Sequence, residues 1–236
     1  MPAALQIAQL AAEPSLVHAF STVAMGSMGL THAADPGLVA ESRRQFARAL
    51  GVEPEGLTVV GAVHGVEVAR VDRPAPLVEG VDGIVTDQPG VALFAVFADC
   101  YPLLVYDPRN HALGLAHAGW RGTLAGITRK VVSRLEREYG SVPSELSVGI
   151  GPGICGNCYE VGPEFAQRFP PEVLKAGTGG RLLLDLGEAN RRHFLEAGVL
   201  EERIATAGLC TLESDRLFSH RRQPDGTRFA ALGVLR

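Results

Sequence analysis

A cysteine and a histidine stand at the two open ends of a hairpin that the sequence predicts between residues 98 and 123. The run Asp107-Pro108-Arg109-Asn110 favours a turn, because aspartate suits its first corner and proline its second. If the first and last residues of this run pair, Cys100 is directly opposite His117, and opposed residues share one face with Cβ atoms about 4.5 to 5.5 Å apart. A thiol and an imidazole at that distance can bind one metal ion or act as nucleophile and base. The alternative is an ordinary cysteine and histidine of the core.

A metal site needs a third ligand, and histidines supply the candidates. His64 ends a predicted strand and precedes Gly65, which frees the backbone to bend. His18 and His220 are the other candidates. Spacing alone does not choose among the three.

The segment after the hairpin is a candidate anion site. In Trp120-Arg121-Gly122-Thr123, a buried strand turns into a helix predicted over residues 123–139. Free backbone N–H groups, the Arg121 guanidinium and the Thr123 hydroxyl would converge at the positive end of that helix. The alternative is a plain turn in which Thr123 caps the helix.

The remaining elements predict a mixed architecture. The apolar run 91–98 suits a central strand, and residues 67–71 suit a hairpin partner of strand 57–63. Other strands are predicted over 17–22, 82–87, 146–150, 204–210 and 229–234, and helices over 36–50, capped by Asp35, and from Asp185 to about 197. Strands adjacent in sequence, out of strict alternation with helices, favour an α+β fold with mixed β-sheets and flanking helices. We expect a single domain over residues 1–236.

Composition narrows the function classes. The net charge of −4 with scattered basic residues indicates no nucleic-acid partner. The longest apolar run is far too short to span a bilayer, and no Lys or Arg precedes Arg43, so neither a membrane anchor nor a secretory signal is predicted. We therefore expect a soluble, cytoplasmic protein. The sequence predicts no oligomeric state.

Four cysteines are too few for a disulfide scaffold in a chain of 236 residues, which favours metal binding or catalysis. Cys155-Gly156-Asn157-Cys158 has the spacing of a redox motif, but it lacks a matching second pair for a four-thiolate zinc site. Loop cysteines in a glycine-rich turn are the plainer interpretation.

Six motifs resemble, in order and spacing, those of the YfiH family, which is named for a polyphenol-oxidase laccase domain and related to purine nucleoside phosphorylases. They are Val63-His64-Gly65, Asp82-Gly83, the segment 98–102, His117-Ala-Gly-Trp-Arg-Gly122, the segment 151–161 and Phe218-Ser-His-Arg-Arg222. The resemblance covers nearly the whole chain. Three positions differ from the family pattern: Val23, Ala62 and Phe97.

The resemblance implies that His64, Cys100 and His117 bind a zinc ion in an α+β fold. It also implies phosphorolysis of adenosine, inosine and methylthioadenosine together with adenosine deamination, so that the partners are small nucleosides and phosphate. Two histidines and one thiolate leave zinc one open coordination position, as in catalytic sites. Arg121 and the helix start would hold phosphate. Asp99 would help ammonia leave during deamination, or would serve only as a structural cap.

Three other functions compete with this one. A copper phenol oxidase needs many histidines in His-x-His pairs, whereas this chain has seven and no such pair, although a His₂Cys site could take up copper. An amidase or hydrolase that edits peptidoglycan precursors would use Cys100 as nucleophile and His117 as base. A redox or metal-buffering module would use Cys155 and Cys158.

Overall fold

The computed structural model describes residues 4–31 and 33–236. Its α-helices are α1 (Ala8–Ala11), α2 (Pro36–Ala49), α3 (Trp120–Ala125), α4 (Ile127–Tyr139) and α5 (Leu186–Glu196). Its strands are β1 (Leu16–Phe20), β2 (Leu57–Gly61), β3 (Val68–Arg70), β4 (Val78–Glu79), β5 (Gly83–Thr86), β6 (Ala92–Phe97), β7 (Tyr101–Asp107), β8 (Ala112–Ala118), β9 (Ser147–Ile150), β10 (Glu160–Val161), β11 (Leu174–Ala176), β12 (Leu182–Leu184), β13 (Ile204–Thr206) and β14 (Phe229–Leu235).

Two large sheets pack face to face. One has the strand order β1-β14-β6-β2-β4 and the other β13-β9-β7-β8-β5-β3, while β10-β12-β11 form a small third sheet. Phe97 and Phe229 of the first large sheet meet Leu104 and Leu115 of the second in the core between them. Helix α2 covers the outer face of the five-stranded sheet, and α4 and α5 cover the outer face of the six-stranded sheet. Both large sheets mix parallel and antiparallel pairs, which confirms the predicted α+β class.

The apolar run 91–98 becomes β6, a central strand buried on both faces, as predicted. Leu93 and Ala95 face the other sheet, whereas Ala92 and Phe94 face α2. A side-chain period of two explains this division, and burial on both faces explains why the strand has no polar residue.

Helix boundaries follow their capping residues. Asp35 caps α2, where Oδ1 accepts from the N–H groups of Gly37 and Leu38, and Asp185 caps α5.

The single helix predicted over residues 123–139 is wrong at its start. The chain is helical from Trp120, and Gly126 at φ +85° then separates α3 from α4. Glycine tolerates this left-handed conformation, so the break costs little.

The β7–β8 hairpin forms, but its register differs by two residues from the predicted one. Asp107 pairs with Ala112, so residues 108–111 form the loop, and Pro102 rather than Cys100 is opposite His117. The cause is an aspartate turn, in which Asp107 Oδ1 accepts from the N–H groups of Arg109 and Asn110. Because strand side chains alternate with period two, a slip of two leaves every residue on its predicted face.

The predicted pairing of residues 67–71 with strand 57–63 is wrong. Strand β3 pairs in parallel with β5 in the six-stranded sheet, whereas β2 pairs in parallel with β6 and β4 in the other. The chain between β2 and β3 therefore crosses from one sheet to the other, and His64 lies on that crossing.

Among the described residues, no helix is long and apolar enough to cross a membrane.

Candidate metal centre

Three side chains converge where the core between the two large sheets meets solvent. One donor atom from each of His64, Cys100 and His117 lies within 4.8 Å of the other two. The imidazole rings have centroids 5.0 Å apart and are nearly perpendicular, at 87°. His117 is buried, Cys100 is half-buried and His64 is exposed, so the group opens to solvent on the His64 side.

A different element holds each donor. His117 belongs to β8, on the same face as Leu113 and Leu115, and its ring packs on Phe97 at 5.3 Å. Cys100 lies directly before β7, after Asp99 turns the chain at φ +83°. His64 follows β2 and also has a positive φ, of +62°. A non-glycine residue in this region is uncommon and needs contacts that hold it there.

The buried carboxylate of Asp82 supplies these contacts for both histidines. Oδ1 accepts from the backbone N–H of His64 at 2.9 Å and lies 3.1 Å from His117 Nδ1. Oδ2 accepts from the N–H groups of Val63 and Gly65 at 3.1 and 2.7 Å. With Nδ1–H directed at a carboxylate, His117 has Nε2 free to bind a metal, the usual arrangement behind a metal-binding histidine.

Gly119 leaves room for the three donors. A Cβ atom at this position would lie 3.0 Å from Cys100 Sγ and 3.2 Å from His64 Cδ2. The glycine of the His-Ala-Gly-Trp motif therefore allows the backbone after β8 to pass directly beside the site.

The charges of the group favour a thiolate. Burial alone would raise the pKa of the Cys100 thiol, but the positive charge of His117 and hydrogen bonds from both histidines lower it to about 6. Burial alone would lower the pKa of His117, but the Cys100 thiolate and the Asp82 carboxylate raise it to about 9. A divalent cation can replace the imidazolium proton as the partner of the thiolate.

The donor set fits zinc. Two imidazoles and one thiolate are ordinary zinc ligands, and three protein ligands leave one of four tetrahedral positions for water or substrate. The Asp82 carboxylate, bound to His117 Nδ1, adds the hydrogen-bonded acceptor that metal-binding histidines usually have. His18 is not part of the group: it is fully buried in β1, where Nε2 accepts from the N–H of Ile7 at 2.9 Å. His220 is exposed and belongs to neither cluster of metal-ligand types found among the described residues.

Two of the other predicted site residues have polar partners inside the protein. Thr123 is fully buried and its hydroxyl accepts from Asn190 Nδ2 at 3.1 Å. Asp99 is buried with both oxygens occupied: Oδ1 accepts from the Thr211 hydroxyl at 2.7 Å and Oδ2 from the Arg221 N–H at 2.8 Å. This supports the structural-cap interpretation of Asp99 over the acid.

Arg121 remains available as an anion ligand. Its side chain is exposed and its guanidinium lies over the Trp120 ring, 4.4 Å from the centroid. Two residues closer to the hairpin is Gly119, which borders Cys100 and His64. The positive charge thus stands on the segment that borders the open side of the group.

Sequence reasoning missed a second aromatic and cationic pair. The Arg221 guanidinium lies 5.0 Å from the Tyr159 ring centroid. Burial and the negative charges of Cys100 and Asp99 raise the pKa of the Tyr159 phenol. Both residues fall inside the motifs at 151–161 and 218–222, which were the available signal.

The fold and the donor set define a mixed-sheet α+β protein with a candidate His₂Cys metal centre. The sequence model of the family described as "Multi-copper polyphenol oxidoreductase laccase" matches residues 18–236. The chain belongs to this family, whose solved members include YfiH and YlmD proteins.

Similar proteins agree with that assignment. A protein of Deinococcus radiodurans named purine nucleoside phosphorylase is 38% identical over 236 residues, covering 93% of this chain and 89% of that protein. Purine nucleoside phosphorylase YlmD of Geobacillus stearothermophilus is 37% identical, covering 83% of this chain and 78% of its own length. The YlmD crystal structure superposes with a TM-score of 0.88 at 34% identity, over 95% of this chain and 93% of that chain. YfiH of Bacillus licheniformis gives 0.87 at 27% identity, over 94% and 93%.

Proposed function

We propose that this protein is a zinc-dependent purine nucleoside phosphorylase that also deaminates adenosine. The observation that carries the proposal is the convergence of His64, Cys100 and His117 within 4.8 Å, with a buried carboxylate behind His117. The names of the relatives from Deinococcus and Geobacillus support the phosphorylase assignment. As substrates we propose adenosine, inosine and methylthioadenosine.

In this proposal His64, Cys100 and His117 hold the metal, and zinc, when bound, acts as a Lewis acid that polarises a substrate oxygen or activates water. Asp82 keeps the proton of His117 on Nδ1, which would leave Nε2 free to hold the metal. The Arg121 guanidinium binds phosphate. A phosphate oxygen then forms the new bond to C1′ of the ribose as the bond from C1′ to the purine nitrogen breaks. That nitrogen keeps the electron pair and takes a proton from solvent, so that ribose 1-phosphate and the free base are released.

The laccase description of the family does not transfer to this chain as an activity. Oxidation of phenols by a laccase needs a type 1 copper and a trinuclear copper site, which together need many histidines in His-x-His pairs. This chain has seven histidines and no such pair. Within residues 4–31 and 33–236, the clusters of metal-ligand types are the one described above and one made of cysteines and a glutamate.

Metal content and nucleoside turnover, measured together, test the proposal. Freshly purified protein is analysed for zinc and copper, and each nucleoside is then incubated with and without phosphate. We expect zinc, phosphate-dependent release of purine base, and inosine formed from adenosine. The Cys100→Ala and His117→Ala variants should lose zinc and phosphorolysis together.

The matched control lies at the other end of the same hairpin. His111 has φ +52°, a conformation that asparagine tolerates, so His111→Asn should keep metal and activity. Full phosphorolysis by protein freed of metal would reject the zinc mechanism. Inactivation by iodoacetamide with no effect of chelators would instead favour the hydrolase with Cys100 as nucleophile.

A further inference from the structure

A second group of sulfur and oxygen atoms converges apart from the first candidate centre. One donor atom from each of Cys155, Cys158, Cys210 and Glu213 lies within 4.8 Å of the other three. Cys158 Sγ is 3.3 Å from Glu213 Oε1, and Cys155 Sγ is 3.9 Å from Glu213 Oε2. Cys210 is buried and Glu213 is exposed, so the group is closed on the protein side and open to ions from solvent.

We propose that these four residues form a second metal site that binds a thiophilic divalent cation such as zinc. In a tetrahedral site with Zn–S of about 2.3 Å and Zn–O of about 2.0 Å, a sulfur and an oxygen ligand lie about 3.5 Å apart. The distance from Cys158 Sγ to Glu213 Oε1, 3.3 Å, is close to that value. Four protein donors complete the coordination, as in structural zinc sites.

The backbone presents the donors as two short turns. Cys155 and Cys158 are separated by two residues, and the N–H of Cys158 donates to the Cys155 carbonyl at 2.9 Å. Cys210 and Glu213 have the same separation, and the N–H of Ser214 donates to the Cys210 carbonyl at 3.0 Å. The second pair of ligands is therefore Cys210 and Glu213, which a search for paired cysteines alone does not find. Two such pairs facing each other are typical of structural zinc sites.

The contacts favour a cation over a redox pair. A disulfide between Cys155 and Cys158 would use two sulfurs and leave Cys210 and Glu213 without a role. Moreover, the N–H of Cys155 donates to Cys210 Sγ at 3.3 Å, which holds this sulfur against the turn that carries the other two. Three thiolates beside a carboxylate repel one another unless a cation lies among them. Cation binding would release the thiol protons to solvent.

This second site would also support the first. Thr211, in the turn between Cys210 and Glu213, donates its hydroxyl to Asp99 Oδ1 at 2.7 Å. The N–H of Ile154, just before Cys155, donates to the Asp99 carbonyl at 2.9 Å. A cation that ties the two turns together would therefore fix two of the groups that bind Asp99, the residue directly before Cys100.

Cobalt substitution tests the second site without any assay of nucleoside turnover. The chain has four cysteines, so in a Cys100→Ser variant every remaining thiol belongs to the second group. We expect this variant, reduced and titrated with Co²⁺, to bind about one ion per chain with a sulfur-to-cobalt charge-transfer band in the near ultraviolet. Adding Cys158→Ser should remove most of that band, and adding Glu213→Gln should weaken the affinity.

Asn157→Ala changes the same turn without removing a donor and should keep the band. The absence of the band from a Cys100→Ser protein that circular dichroism shows to be folded would overturn the proposal. A disulfide between Cys155 and Cys158, found by mass spectrometry in protein purified with reductant and zinc, would also overturn it. None of these outcomes depends on the phosphorylase activity, so the two proposals fail separately.

Discussion

Replacing Asp82 with asparagine tests how the candidate centre is organised. Each carboxylate oxygen accepts from two donors: Oδ1 from the His64 N–H and His117 Nδ1, and Oδ2 from the N–H groups of Val63 and Gly65. An asparagine amide has one accepting oxygen and one donating NH₂ group. In either orientation its NH₂ group therefore faces two other donors.

Both orientations weaken metal binding. If the NH₂ group faces His117, the ring changes tautomer, its proton moves to Nε2, and this nitrogen no longer binds a metal. If the NH₂ group faces Val63 and Gly65, the strained turn at His64 loses two hydrogen bonds. Changes behind a metal-binding histidine typically cost 10- to 100-fold in affinity, which is about 1.4 to 2.8 kcal/mol. The two lost hydrogen bonds also cost about 1 to 3 kcal/mol of folding free energy.

Competition with a chromophoric chelator measures the zinc Kd, and urea unfolding of the metal-free protein measures the loss of stability. The control is Asp87→Asn, the same change just beyond the other end of β5, where Oδ1 accepts from the neighbouring Gln88 side chain. We expect the control to keep the wild-type Kd. A folded Asp82→Asn protein with a Kd within twofold of wild type would refute this account of the site.

Three further predictions follow from single contacts. His18→Gln tests the cost of burying this imidazole, because burial lowers the pKa of His18 to about 4. Below about pH 6.5 the unfolded chain therefore binds a proton that the folded chain does not. Between pH 6.5 and 4, wild type should lose about 3 kcal/mol of stability relative to the variant. A pH-independent difference in urea unfolding would contradict this. Gly119→Ala places a Cβ 3.0 Å from Cys100 Sγ and should weaken zinc binding about tenfold, measured by the same competition; an unchanged Kd would show that the ligands can move apart. Arg121→Ala should raise the KM for phosphate about tenfold without loss of zinc, whereas Lys130→Ala in α4 should not, and equal effects would remove Arg121 from the phosphate site.

The juxtaposition of Cys100 and His117 could be predicted from local sequence, although the register could not. The run 107–110 predicts the hairpin, and the alternation of side chains along each strand predicts that Cys100 and His117 share a face. The error of two residues arose because the Asp107 side chain caps a wider loop and His111 adopts a left-handed conformation. Glycine is the usual sign of such a conformation in a sequence, and histidine is a weaker one.

The partners from distant segments could not be derived from spacing. His64 and Asp82 reach the site because β2 and β5 belong to opposite sheets and the chain crosses between them. The residues alone give His64 only a modest lead over His18 and His220, and the family resemblance singles it out. His18 is instead a buried acceptor for the N–H of Ile7, a role that its alternating strand pattern does not distinguish from that of a ligand.

The donors of the first centre are held by contacts that need no metal. Asp82 fixes the turn at His64 and the ring of His117, and Asp99, itself held by Thr211 and Arg221, fixes the bend before Cys100. Each of these buried carboxylates thus accepts hydrogen bonds from separate segments of the chain, and in doing so it positions a side chain that can bind the metal. This differs from small zinc domains, where the metal supplies most of the folding free energy. A site preorganised in this way can leave one coordination position open to substrate, because its geometry does not depend on a fourth protein ligand.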